Sequence, residues 1–253
     1  QAGACIGQGE LMRLYGKAFN KRNYLVGQIL LTQEDFDQRQ RYLNIRYTID
    51  ALLKKKAVPI VNENDTVSTD EIKCGDNDRL SGLVSDLAEV DSLIILTNED
   101  GFCNEKGEVI RVVGEITEDV ARLAGEKCAF FTKGGMATKL EAARRSRSSG
   151  IDCYIANGKK PGIIRDVLDK KGTFTTFKAG PRKESAKKRW IAFSSKVKGK
   201  ILVDEGAKKA LTKDHKSLLP SGITAIEGSF KAGDVIEILD AKRKEIARGL
   251  TNY

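Results

Sequence analysis

Histidine is almost missing from this 253-residue chain: His215 is the only one. A Ser-His or Cys-His catalytic pair would have to use it, and it stands in the polar stretch Lys213-Asp214-His215-Lys216, which gives triad hydrolase chemistry little support. The cysteines Cys5, Cys74, Cys103, Cys128 and Cys153 are odd in number, widely spaced and contain no C-x-x-C. Neither a disulfide framework nor a zinc site follows, and reduced thiols are expected. Proline occurs 4 times and no tract is dominated by Gly, Ser or Pro, which argues against long disordered segments. No apolar run approaches the ~18 residues of a membrane span, and the segment from Gln1 to Gly9 lacks the basic-then-apolar order of a signal peptide. A soluble, cytoplasmic protein is the expectation. Trp190 is the only tryptophan, so the aromatic-rich platform of an RNA-binding sheet is also wanting.

What is present is a globular composition, 40% hydrophobic and 31% charged, long enough for one large domain and a small one. Charge is unevenly placed. Residues 1–180 carry 27 Lys and Arg against 26 Asp and Glu, whereas residues 181–253 carry 17 against 9. A near-neutral body with a basic appendix fits an enzyme joined to a module that meets polyanions, and equally a solvated basic face.

Apolar residues recur at helical spacing from Glu10 to Phe19 and from Gln33 to Lys56. Ala57 to Val61 and Ser92 to Leu96 read as buried strands, each ending in a polar loop, with a helix from Leu80 to Ala88 between them. After a hairpin-like section around Asn104 to Val113, helices are expected at Glu118 to Ala124 and Met136 to Ser148, then a strand from Ile151 to Ala156. Buried strands alternating with helices imply a parallel sheet covered on both faces. Ligands of such sheets bind beyond the carboxyl ends of the strands, which points to the loops after Val61, Leu96 and Ala156. A domain boundary is expected near Lys178 to Lys188, followed by short strands at Ile201 to Val203, Ile223 to Ile226 and Val235 to Leu239.

Three segments carry candidate chemistry. Asn62-Glu63-Asn64-Asp65 and, nine residues on, Cys74-Gly75-Asp76-Asn77-Asp78 offer carboxylates for an ammonium and amides for a carboxylate, the needs of an amino-acid ligand. The same residues also favour turns and helix caps. Lys133-Gly134-Gly135-Met136-Ala137-Thr138-Lys139 leads into a helix; adjacent glycines there let backbone N–H groups and the helix dipole converge on an anion, with lysines supplying charge. It is not a P-loop, and no G-x-G-x-x-G follows a strand. Leu96-Thr97-Asn98 adds a hydroxyl and an amide at a strand end.

Taken in order, Val58 to Asp65, Gly75 to Asp78, Leu96-Thr97 with Asp100-Gly101, Gly134 to Lys139 and Ile155 to Gly158 resemble the glutamate 5-kinase group of the amino-acid kinase family. Val26 to Thr32 fits the same pattern. Arg189-Trp190, Val203 to Gly206 through Leu219-Pro220, and Ile246 to Leu250 resemble the PUA domain appended to many bacterial members. The resemblance implies a three-layer α/β/α sandwich over residues 1–180 and a small β-rich PUA domain over 181–253. It puts Asp65 and Asn77 at glutamate with Asn62 nearby, Thr97 and Asn98 at the nucleotide, and Lys133, Gly134, Gly135, Met136, Ala137, Thr138 and Lys139 at its phosphates. Lys139 and Asp78 become the catalytic pair, with ATP and Mg²⁺ as cofactors. Where the family has Thr-Asp and Thr-Gly-Gly, this chain has Thr97-Asn98 and Lys133-Gly134-Gly135.

A homodimer or tetramer and feedback inhibition by proline are implied in the same way. The family's first strand, with its lysine and phosphate loop, and the Ser-Gly loop of its next strand are not in the string, and their omission from it is expected rather than an inactive fragment. The competing functions are another family member, acting on acetylglutamate, aspartate or a nucleotide, and an RNA-binding accessory protein. Weak, non-specific RNA binding by the basic domain is expected as a by-product of its charge.

Overall fold

The computed structural model describes residues 2–67, 77–126, 135–181, 185–194, 196–214 and 216–252. They divide into two compact units, Gln1–Lys183 and Glu184–Tyr253.

The first unit opens with α1 (Ala2–Asn20), β1 (Leu25–Leu31), α2 (Gln33–Asp37), α3 (Arg39–Lys54) and β2 (Ala57–Glu63). β1 and β2 pair in parallel, Leu25 opposite Ala57 through Leu31 opposite Glu63. The single helix expected over Gln33 to Lys56 is two helices, broken at Gln38, whose φ of −97° and ψ of 119° are extended. A capping box starts the first of the two, the Thr32 N–H donating to Asp35 Oδ2 at 2.7 Å, and that helix buries Phe36. α3 then buries Tyr42, Ile45 and Ile49, a stripe at helical spacing.

The chain continues through α4 (Asn77–Leu87), β3 (Ser92–Thr97), β4 (Val112–Val113), α5 (Glu118–Glu126), α6 (Met136–Ser148), β5 (Asp152–Asn157), α7 (Ile163–Leu168) and β6 (Thr175–Phe177). The sheet order is β3-β5-β6-β4. β3 and β5 are parallel, β5 and β6 antiparallel, and β6 and β4 parallel. Two points depart from the expected single parallel sheet: among the described residues β1 and β2 form a sheet of their own, and the other is mixed. β4 and β6 span two and three residues, too few to show a period in sequence.

β5 shows why its centre, Cys153 to Ala156, is apolar on both faces. Cys153 and Ile155 pack with Leu140, Ala142 and Ala143 of α6 on one face, while Tyr154 and Ala156 pack with Ile163 and Val167 of α7 on the other. Alternate side chains therefore meet helices on both sides. Short connections at residues 88–91 and 149–151 lay α4 and α6 antiparallel to the strands they feed, which brings both helix N-termini to the carboxyl edge of the sheet, where β3 ends at Thr97 and β5 at Asn157.

The second unit holds α8 (Ala186–Arg189), a π-helical turn (Trp190–Ser194), β7 (Gly199–Val203), α9 (Glu205–Thr212), a 3₁₀ turn (Pro220–Gly222), β8 (Ile223–Gly228), β9 (Val235–Leu239) and β10 (Glu245–Leu250). Its sheet order is β10-β9-β7-β8, with Ile201, Val203, Ile236 and Ile238 at the core. Trp190 and Arg189 are fully buried.

Candidate functional site

α4 and α6 approach through small residues. A methyl group at Gly82 would lie 3.1 Å from the Ala142 Cα, and Ser85 Oγ and Ser146 Oγ are 3.3 Å apart. Gly82 and Ser85 follow Asp78 along one face of α4, as Ala142 and Ser146 follow Thr138 along one face of α6, so each stripe leads back to its helix N-terminus. There Lys139 Nζ donates to Asp78 Oδ2 at 2.7 Å, the two side chains only 13% and 14% exposed. The Thr138 hydroxyl lies 2.9 Å from the same oxygen and 2.8 Å from the Gly135 carbonyl. Asp78 in the first turn of α4 also sits at the positive end of that helix dipole. A second bridge between the helices, Arg79 to Glu141 at 2.8 Å, is half exposed and adds about 0–1 kcal/mol.

Beside this pair, the loops leaving β3 and β5 are tied together. The Gly158 N–H donates to the Thr97 carbonyl at 2.9 Å. Asn157 Nδ2 donates to the Asn98 carbonyl at 3.1 Å and to Asp100 Oδ1 at 2.8 Å, and Lys160 Nζ reaches Asp100 Oδ2 at 2.7 Å. The Lys160 ammonium, with the Asn157 amide behind it, holds the Asp100 carboxyl below its ordinary range. Gly101 has no room for a side chain: a methyl there would lie 2.6 Å from Thr175 Oγ1, the hydroxyl that accepts the Phe102 N–H at 2.7 Å.

Of the remaining candidates among the described residues, only Asn62 and Asp65 lie away from this pair. Asn77 is the exposed first residue of α4. Asp65 lines a cavity of about 290 Å³ with Gln8 and Gln28 beyond the end of β2, and Asn62 Nδ2 donates to Gln8 Oε1 of α1 at 3.0 Å. Among the described residues no hydrogen bond joins Asn62 or Asp65 to Asp78 or Lys139. Lys133 and Gly134 lie outside the described residues, as does Gly75-Asp76. The helix start at Gly135 and Met136 is described, with Gly135 the N-cap residue of α6 and Ala137 exposed. Cys153, under these helices, is no nucleophile: burial, reinforced by the charges of Asp78 and Asp152, pushes its thiol up to about 12.

The amino acid kinase family model matches residues 1–157 and the PUA domain model residues 199–253. Glutamate 5-kinase of Thermoanaerobacter sp. (strain X514) is 45% identical over all of this chain and 70% of its own length. The glutamate 5-kinases of Caldanaerobacter subterraneus subsp. tengcongensis and Moorella thermoacetica are 46% and 44% identical, over 70% and 68% of their lengths. The chain belongs to the glutamate 5-kinase group of the amino acid kinase family. Among solved structures, the carbamate kinase of Giardia lamblia bound to AMP-PNP superimposes with a TM-score of 0.47 at 18% identity, over 70% of this chain and 71% of that one.

The family match spans both helix N-termini and the loops after β2 and β3, and it ends with β5 at Asn157. Asp100, Asn157 and Lys160, which form the polar clasp between the β3 and β5 loops, had no role assigned from the residues alone. Asp100 and Asn157 were legible only as members of a motif, because their meeting depends on β3 lying beside β5.

Proposed function

We propose that this protein phosphorylates the γ-carboxylate of L-glutamate with ATP, giving L-glutamyl 5-phosphate, the first step of proline biosynthesis. The observation that carries this is the Lys139–Asp78 pair, held at 2.7 Å where two helix N-termini meet, in a chain 40–46% identical to proteins named glutamate 5-kinase. In the proposed step a γ-carboxylate oxygen attacks the γ-phosphorus, the bond to the bridging oxygen breaks, and ADP leaves. The attacking carboxylate is already ionised, so no general base is needed. The requirement is to place two anions together and stabilise the charge that moves between them.

Lys139 supplies a fixed positive charge for the transferring phosphoryl, and Asp78 sets its position. Backbone N–H groups of Gly135, Met136 and Ala137 at the start of α6 cradle the phosphates, and Lys133, Gly134 and Thr138 are assigned to the same phosphate site. Thr97 and Asn98, pinned by Asn157, border the nucleotide. Asp65 takes the ammonium of glutamate and Asn77 a carboxylate. Asn62 gives one N–H to Gln8 and keeps its second for the ligand.

Mg²⁺ would arrive on the ATP phosphates rather than in a dedicated protein cage. Bound there, it would neutralise phosphate charge. No helix among the described residues is long and apolar enough to cross a membrane. We take the enzyme to work in the cytoplasm as a homodimer or tetramer, open to inhibition by proline.

The test is the full-length protein with ATP, Mg²⁺ and one amino acid at a time. ADP should appear with L-glutamate, together with an acyl phosphate that hydroxylamine traps. Turnover of aspartate or acetylglutamate as fast as glutamate would assign the chain to a different substrate.

A further inference from the structure

A cavity of about 640 Å³ lies on the first unit away from the Lys139–Asp78 edge. Asp152, at the start of β5, lines it, whereas the nucleotide loops meet Asn157 at the strand's end. At about 3.3 Å per residue the two ends of β5 are roughly 16 Å apart. The cavity's apolar lining is the exposed Val112 and the edges of a largely buried ring pair, Tyr154 and Phe174, each 8% exposed, with centroids 5.9 Å apart at 74°. Its rim carries Arg111, Lys170 and Lys178, against Asp152 as the one carboxylate among the lining residues.

That carboxylate is already engaged: Oδ1 accepts the Ala179 N–H at 2.7 Å, and Oδ2 lies 3.4 Å from the Tyr154 hydroxyl. Burial, with the charge of Asp152 adding to it, raises the Tyr154 hydroxyl above its ordinary range, so this group stays a neutral donor. The Arg111 guanidinium is held in place by the Gly172 carbonyl. The ammonium groups of Lys170 and Lys178 have no hydrogen-bond or ion-pair partner among the described residues. Surplus positive charge at the rim of an aromatic-walled space of this size, within the roughly 300–1,000 Å³ of small-molecule sites, is complementary to an anion with a flat apolar body.

We propose that this cavity binds an aromatic organic anion of about nucleotide size, its ring against Val112 and the accessible edges of Tyr154 and Phe174 and its charged group between Lys170 and Lys178. The site is distinct from the one that handles ATP. The probe is anilinonaphthalene sulfonate, an aromatic sulfonate, titrated by fluorescence into the full-length protein with and without saturating ADP.

The expected result is one saturable site, retained in ADP and weakened about tenfold or more when Lys170→Glu and Lys178→Glu are combined. Glutamate-dependent ATP turnover in the double variant should match the parent, which shows that the variant is folded. Dye binding that is displaced by ADP, unchanged in the double variant, or never saturable would overturn the proposal.

Discussion

At the scale of single residues, Lys139 is the group whose removal separates charge stabilisation from packing. Its ammonium is mostly sheltered beside Asp78, and the helix it starts is held by Leu140, Ala142 and Ala143 further along. Lys139→Ala is expected to lower kcat by about 10²-fold or more, the usual loss for one transition-state stabiliser, with a melting temperature close to that of the parent. Steady-state kinetics and thermal melts check both. Asp65, in the cavity beyond β2, is proposed to hold the ammonium of glutamate, a contact present in ground and transition state alike, so Asp65→Ala should raise the KM for glutamate far more than it lowers kcat.

A third residue gives a pH dependence. The Lys208 ammonium, 3.0 Å away, and the Lys244 N–H hold the Asp240 carboxyl below its ordinary value of 3.8. The folded state therefore favours the ionised form. That stabilisation is present at pH above 3.8 and is lost as the pH falls through the lowered value. Hydrogen exchange of residues 235–250 should show opening free energy falling below about pH 4 in the parent, and little such fall in Asp240→Asn.

At the scale of elements, the contact between α4 and α6 decides whether the site exists. Asp78 and Lys139 are 61 residues apart, and no local rule brings them within 3 Å. The small side chains of Gly82, Ser85, Ala142 and Ser146 let the two backbones approach. Gly82→Leu forces a bulky side chain against the Ala142 backbone and should destabilise the fold by about 1–3 kcal/mol, as overpacking does. Because separating the helices also separates Lys139 from Asp78, kcat should fall in protein that is still folded. A chemical-denaturation curve read with kcat at a temperature well below the melt tests this, and a variant with parental kcat would detach the interface from the chemistry.

At the scale of the whole molecule, the division into Gln1–Lys183 and Glu184–Tyr253 puts every candidate site residue in the first unit. The second has its own core around Ile201, Val203, Ile236 and Ile238. We expect removal of residues 184–253 to leave glutamate-dependent ATP turnover largely intact while changing oligomer size or the response to inhibitor. Activity assays and light scattering on the truncated protein decide it, and a folded but inactive product would tie the basic unit to catalysis.

What the sequence determined by itself is what is encoded locally or by composition. Apolar runs marked β2, β3 and β5, and Gly135 marked the start of α6. The order of the polar loops placed the chain in its family. Three things were left to the tertiary structure. The helix break at Gln38 interrupts an apolar stripe that the sequence carries on without a gap, with Phe36 and Tyr42 buried on either side of it. The short strands β6 and β4 depend on pairing: β5 offers β6 an edge, and β6 in turn offers one to β4. The joining of Asp78 to Lys139, and of Asp100 to Asn157 and Lys160, is settled by which helices and strands lie side by side. Periodicity records which face of an element is buried, but not which element it is buried against.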